Sequence, residues 1–184
     1  MEIYDAFSQG VEPGGLRSKN EIKILICYLI CKMDSGLTKQ QLSDIIVSKG
    51  LANYFEVNEA LSEVIKNGNV RSEFDGEQEL LFPTQLGKAN TAELEGEIPY
   101  SVKETALHSA VNMMTRLKRE RENKIEIKPC SKGYEVSVSI MDNDDKLLSV
   151  TLFVADSDQA ETVKENFLRD PVRVYSSIVA LLMT

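Results

Sequence analysis

The sequence predicts an α+β protein built as two domains, and three observations carry that prediction. Residues 18–66 hold three runs with apolar side chains at three- and four-residue spacing, and residues 70–83 hold two short strand-like runs around an Asp-Gly turn. Residues 124–154 then hold three strand-like runs, followed by two further helical ones. A chain of 184 residues, 42% hydrophobic and 27% charged, suffices for two cores.

The first helix is expected over 18–33. Ser18 and Glu21 form a capping-box signature, and Ile22, Leu25, Ile26, Leu29, Ile30 and Met33 repeat at helical spacing. Thr38 and Gln41 repeat the signature ahead of Leu42, Ile45 and Ile46, and Gly50 supplies the stop. After the link Leu51-Ala52-Asn53, a third helix places Tyr54, Val57, Leu61, Val64 and Ile65 on one side of its wheel and ends at Asn67-Gly68. The runs VRSEF and ELLFP flank Asp75-Gly76-Glu77-Gln78 as a hairpin, with Pro83 limiting the second strand. Three helices followed by a two-stranded wing is the winged-helix plan.

Thr84 starts a further helix, which Ile98-Pro99 breaks. A long helix over 101–123 carries Val102, Ala106, Leu107, Ala110, Val111, Met113, Met114 and Leu117, a stripe wide enough to suggest a homodimer. KIEIKPC, GYEVSVSIM and KLLSVTLFV read as an antiparallel meander. A helix over 157–168 follows, with Ala160, Val163 and Phe167 inward, and then one over 171–183 with Asp170 as cap and Pro171 at its first position. The expected organisation is a winged-helix domain over 1–100, a linking and dimerisation helix over 101–123, and a β-β-β-α-α domain over 124–184.

Charge and composition narrow the function classes. The chain carries −8, and residues 1–90, with nine basic and thirteen acidic side chains, carry −4, against the basic balance usual in nucleic-acid binders. The start MEIYDAFSQGVEPGG lacks the basic and apolar regions of an export signal, and no apolar run approaches membrane-span length, so a cytoplasmic location is expected. Cys27, Cys31 and Cys130 are an odd set without histidine partners, which favours core filling over a metal or disulfide framework. The single histidine, His108, is expected to be structural. Asp142, Asp144 and Asp145 read as a polar hairpin tip before a cation site. There is no G-x-S-x-G, phosphate loop or HExxH pattern, so no catalysis, metal or cofactor is expected.

The strings EPGGLRSKNEIKILICYLI and GLANYFEVNEALSEVIKNG and the wing with TQLGK resemble winged-helix regulators of the PadR and MarR type, where a Thr-x-x-Gly step likewise follows the wing. The whole chain looks like an uncharacterised bacterial family of this length, a domain of unknown function with a winged-helix start. The resemblance to the regulators implies the fold and favours DNA binding, while the family of unknown function implies no ligand, catalytic residue or operator and leaves function open.

Two functional readings stay open. In the first, the chain binds DNA as a dimer through Lys39 and Gln40 at the start of helix two, Asn53 and Tyr54 at the start of helix three, and Arg71 on the wing. In the second, a non-catalytic interaction module docks a basic protein partner on Glu56, Glu59 and Glu63, the acidic outer face of helix three. The run Arg116, Lys118, Arg119, Arg121 and Lys124 is expected to be a solvated helix end that complements the helix dipole.

Overall fold

The computed structural model describes residues 11–16, 18–142 and 145–183, and the described residues form a mixed α+β arrangement with seven α-helices and two antiparallel sheets. It divides into two compact units, residues 1–112 and 113–184. The division falls inside the long helix expected to link the domains.

The first unit runs α1 (Lys19–Lys32), α2 (Lys39–Val47), α3 (Tyr54–Lys66), β1 (Val70–Phe74), β2 (Glu79–Pro83) and α4 (Gln85–Leu94). A 3-10 turn at Glu95–Glu97 and the first half of α5 (Tyr100–Glu122) complete it. Thr38 and Gln41 make both bonds of the capping box: the Gln41 N–H donates to Thr38 Oγ1 at 3.1 Å and the Thr38 N–H to Gln41 Oε1 at 2.9 Å. Gly50, at φ +59°, turns the chain after α2. Its N–H donates to Val47 O (2.9 Å) and that of Leu51 to Ile46 O (3.1 Å), a left-handed helix stop that costs least at glycine. Ser18 sits at the N-cap of α1 without a side-chain capping bond, contrary to the capping-box expectation. Packing holds this helix instead, because Ile22, Leu25, Ile26, Leu29 and Ile30 are essentially without solvent contact.

The inner face of α3 is Val57, Ala60, Leu61 and Val64. Tyr54, expected on that face, is exposed, and Ile65 is only half-buried. Both lie on one flank of the buried stripe, whose centre is displaced toward Ala60. Leu51 and Ala52, which read as a bare link, are core residues.

The expected hairpin is present, with β1 and β2 antiparallel in the register Val70↔Pro83 to Phe74↔Glu79. Its tip is closed by Asp75, whose N–H donates to Gln78 O while its Oδ1 accepts from Glu77 and Gln78 N–H. Gly76 and Glu77 are therefore the central turn residues. Leu37, between α1 and α2, bridges to Leu81: the Leu81 N–H donates to Leu37 O at 2.8 Å. This third strand contact ties the hairpin to the helices, with β2 packed on α1 and α2 and β1 on α3. Thr84 then caps α4, accepting from the Gly87 N–H (3.0 Å) and donating to Gly68 O (2.7 Å). A Cβ at Gly87 would collide with the Asn69 carbonyl oxygen, which accounts for the Thr-x-x-Gly step.

The second unit takes the rest of α5 and the meander β3 (Asn123–Cys130), β4 (Gly133–Asp142) and β5 (Asp145–Val154), in the order β3-β4-β5. It ends with α6 (Ser157–Arg169) and α7 (Pro171–Leu182). Strand alternation sends Val136 and Val138 to one face, where Ala160 and Phe167 of α6 close a small core edged by Ile125, Ile127, Val150 and Val163. The opposite face is a hydroxyl ladder, Ser137 to Thr151 at 2.9 Å and Ser139 to Ser149 at 3.1 Å. Asp156 and Asp170 cap α6 and α7, the latter with Pro171 in its first turn.

On α5, Val102, Ala106 and Ala110 are buried, whereas Leu107, Met113, Met114 and Leu117 are half-buried and Val111 is exposed. The wide stripe read from sequence is thus a narrow i, i+4, i+8 seam. His108 points to solvent, contrary to the structural role expected of it.

Candidate functional site

The residues expected to contact DNA are each engaged inside the first unit. Lys39 Nζ lies 2.8 Å from Glu79 Oε2, joining the start of α2 to the hairpin. That hydrogen bond, followed by one from Ser72, holds the Glu79 carboxyl below its ordinary pKa. Gln40 donates to Asp44 Oδ1 one turn along α2, at 2.8 Å. Arg71 pairs with Glu73 on the same strand, and its guanidinium stands over the Phe82 ring, 5.6 Å from the centroid. Asn53 caps α3, its Oδ1 accepting from the Phe55 N–H at 2.8 Å. The structure brings Asn53 and Tyr54 together at one helix start.

Two of the three carboxylates on the acidic face of α3, Glu59 and Glu63, are paired internally. Lys19 reaches Glu59 (2.7 Å) and Glu63 (3.1 Å), and Lys23 reaches Glu63 (3.2 Å), all from α1. The hydrogen bond from Lys19, then that from Lys23, lowers the Glu63 pKa; the bonds to Glu59, then Glu63, raise that of Lys19. Two charge patterns at i, i+4, Lys19/Lys23 and Glu59/Glu63, were the available signal in the sequence. Read on α3 alone, the carboxylates look free.

The residue that sequence reasoning missed is Phe55. It is 78% exposed and meets Tyr54 edge to face, with ring centroids 5.7 Å apart. The outermost line of α3 is Phe55, Glu59, Ser62 and Lys66, with Glu56 and Glu63 half-buried beside it. An aromatic lying off the apolar stripe is the mark that could have singled Phe55 out.

Elsewhere in the first unit, a cavity of about 360 Å³ opens between α1, the end of α3 and α4. Along it Asn90 Nδ2 donates to Asn69 Oδ1 at 2.7 Å. Cys27 borders it, and burial, with a smaller effect from Cys31, pushes its thiol up to about 12, so it stays protonated and unreactive. Cys31 Sγ lies 3.7 Å from Thr91 Oγ1.

Among the described residues no three His, Cys, Asp or Glu side chains gather to hold a metal ion, and no helix is long and apolar enough to cross a membrane. Asp144, and the side chain of Asp142, of the acidic hairpin tip lie outside the described residues, as does most of the N-terminal stretch read for an export signal. In the second unit the basic run of α5 is partly paired: Arg116 with Glu120 (3.0 Å) and Lys118 with Glu122 (3.6 Å). Arg119 donates to the carbonyls of Leu168 and Arg169, where a cation complements the C-terminal end of α6.

No curated protein and no solved structure matches the chain. The profile of the family described as a domain of unknown function (DUF4364) matches residues 22–182, which takes in both units. The chain belongs to that family.

Proposed function

We propose that the first unit is a winged-helix module that binds DNA, with α3 entering the major groove and the β1–β2 hairpin serving as the wing. The observation that carries this reading is the Leu37–Leu81 bridge, which joins the hairpin to the α1–α2 link and so seats a two-stranded wing against three helices. Lys39, Gln40 and Arg71 take phosphates, while Asn53 and Tyr54 face base edges. Lys39 and Arg71 sit in exposed ion pairs, which water and salt screen, so a phosphate replaces Glu79 or Glu73 at little loss. The pairing of Glu59 and Glu63 with α1 removes most of the repulsion those carboxylates would exert on DNA. The protein acts in the cytoplasm as a homodimeric, non-catalytic transcriptional regulator without a cofactor.

The test is selection of bound fragments from the host genome, followed by fluorescence anisotropy on the enriched sequence. Two cations per module, four in the dimer, give a slope of log affinity on log salt of roughly −3.6, shallow for a DNA binder. Tyr54→Ala should relax sequence preference more than it lowers affinity. Failure to enrich any sequence at low salt overturns the proposal.

A second reading is favoured by Phe55. An exposed aromatic pair beside Glu56 is the anchor-and-rim pattern of a protein interface, on which a basic partner would meet Glu56, Glu59 and Glu63. Affinity purification that recovers one protein, lost on Phe55→Ala, with no DNA selected, would decide for the interaction module.

A further inference from the structure

We infer that β5 is the interface at which a second copy of this chain adds its own β5, antiparallel and about a two-fold axis through Val150, to form a continuous six-stranded sheet. The inference stands on the second unit alone and holds whether or not the first unit binds DNA.

The two edges of the sheet differ in their protection. The β3 edge carries Lys124, Glu126, Lys128 and Pro129, and Lys128 pairs with Glu126 at 2.6 Å. Charges and proline on an edge discourage further strand addition. β5 has β4 on one side and, among the described residues, no strand on the other. Its stretch Leu147–Val154 has no charge and no proline, and leaves Leu147, Leu152 and Phe153 at 52%, 43% and 62% exposure. An uncharged, apolar, unpaired edge is a template for another strand.

The order of residues along β5 selects the occupant. Leu147-Leu148-Ser149-Val150-Thr151-Leu152-Phe153 reads apolar, apolar, hydroxyl, valine, hydroxyl, apolar, apolar, the same in both directions. Two-fold antiparallel pairing about Val150 sets Leu148 opposite Leu152 and Ser149 opposite Thr151 of the other copy, each twice. Like chemistry meets like, and side chains stay on their own faces of the sheet. The hydroxyl ladder that joins Ser137 to Thr151 and Ser139 to Ser149 then runs on across the junction into the second copy. A foreign strand would need no such palindrome. The register irregularity beside Met141 leaves Leu147 without a Cα partner on β4, so the regular pairing ends there.

Sedimentation of the full chain at about 10 μM should give twice 20.6 kDa. Two double variants read the register, since both alter the same exposed positions. Ser149→Lys with Thr151→Lys places like charges opposite each other twice, and should weaken association roughly tenfold or more against Ser149→Glu with Thr151→Lys, which places opposite charges there. A wild-type mass of 20.6 kDa, or equal loss or equal retention of the dimer in both variants, overturns the inference. Should the lysines unfold the second unit, amide exchange in the unaltered chain decides. Exchange over residues 147–154 should slow as protein concentration rises while that over 124–130 does not; no concentration dependence, or slowing at β3 instead, overturns it.

Discussion

Leu25, Ile26, Leu29, Leu42, Ile45 and Ile46 of the first unit have no solvent contact, whereas in the second unit Leu152, Phe153, Val172, Leu181 and Leu182 stand in water around a core of four buried side chains. The contrast is sharpest between two helices of similar apolar content. α1 buries eight of the nine residues from Ile22 to Ile30, all but Lys23, because α3, α4 and β2 surround it. α7, PVRVYSSIVALL, buries only Pro171, and Val174 is its one side chain on the edge of the core. Apolar content therefore says that a helix wants cover, and its place in the fold decides whether it is covered. The first unit closes its large core with its own chain, whereas the second leaves apolar surface around a small one.

The largest expected effect tests the finished core. Leu29→Ala should cost about 4 kcal/mol by lost transfer energy and an unrelaxed cavity, because α1 is hemmed in on all sides. Hydrogen exchange should then quicken in α1 to α4 and spare β3 to β5. Loss of protection in both at once would break the comparison, since it would make the two units one cooperative body.

Phe167→Ala removes the largest buried side chain of the second core and should cost about 3 kcal/mol, less than its size suggests, because that core is shallow and its edges already meet water. Chemical denaturation followed over the β-sheet signal measures it. A cost near zero would mean that α6 is held by the Arg119 contacts and not by packing.

Local chemistry was readable where neighbours in sequence decide the outcome. Thr38 with Gln41, Gly50 and Asp170-Pro171 each act within a few residues, and the structure places each as the sequence indicates. What the sequence hid depends on distant partners. The Leu37–Leu81 bridge spans two elements with no local mark, and the bonds of Lys19 and Lys23 to Glu59 and Glu63 join positions some forty residues apart. Tyr54 was misplaced because the buried stripe of α3 is centred nearer Ala60 than a wheel of large apolar residues suggests. The candidate site suffered most, since its polar residues were legible as types while the pairs that neutralise them were not.

A smaller test isolates local capping from packing. Thr38→Ala deletes one bond of an intact capping box and should cost about 1 kcal/mol, read as a lower thermal midpoint with the native fold retained. Ser18→Ala, at a cap that makes no such bond, should be close to neutral. Equal losses at the two positions would show that helix starts in this unit depend on side-chain polarity in general.

The smallest effect separates the units by pH. Glu63 has a folded pKa below its ordinary value of 4.5, so its contribution is present above that value and is lost as the pH falls through the lowered one. Lys19 has a folded pKa above its ordinary 10.5, so its contribution is present below 10.5 and is lost as the pH rises through the raised value. Glu63→Gln should therefore destabilise the first unit near pH 7, with a gap from wild type that closes as acid protonates the carboxylate and narrows in high salt. In the second unit Glu126 is also lowered, chiefly by its hydrogen bond from Lys128, but that partner is two residues away on the same strand and stays near it in the unfolded chain. Acid should thus loosen the α1–α3 contact while leaving the β3–β4 ladder protected, with the order read by amide exchange at pH 3 to 6. A gap between wild type and Glu63→Gln that persists undiminished at pH 3 would show that the glutamine disturbs packing, and that charge between α1 and α3 is not what distinguishes the first unit.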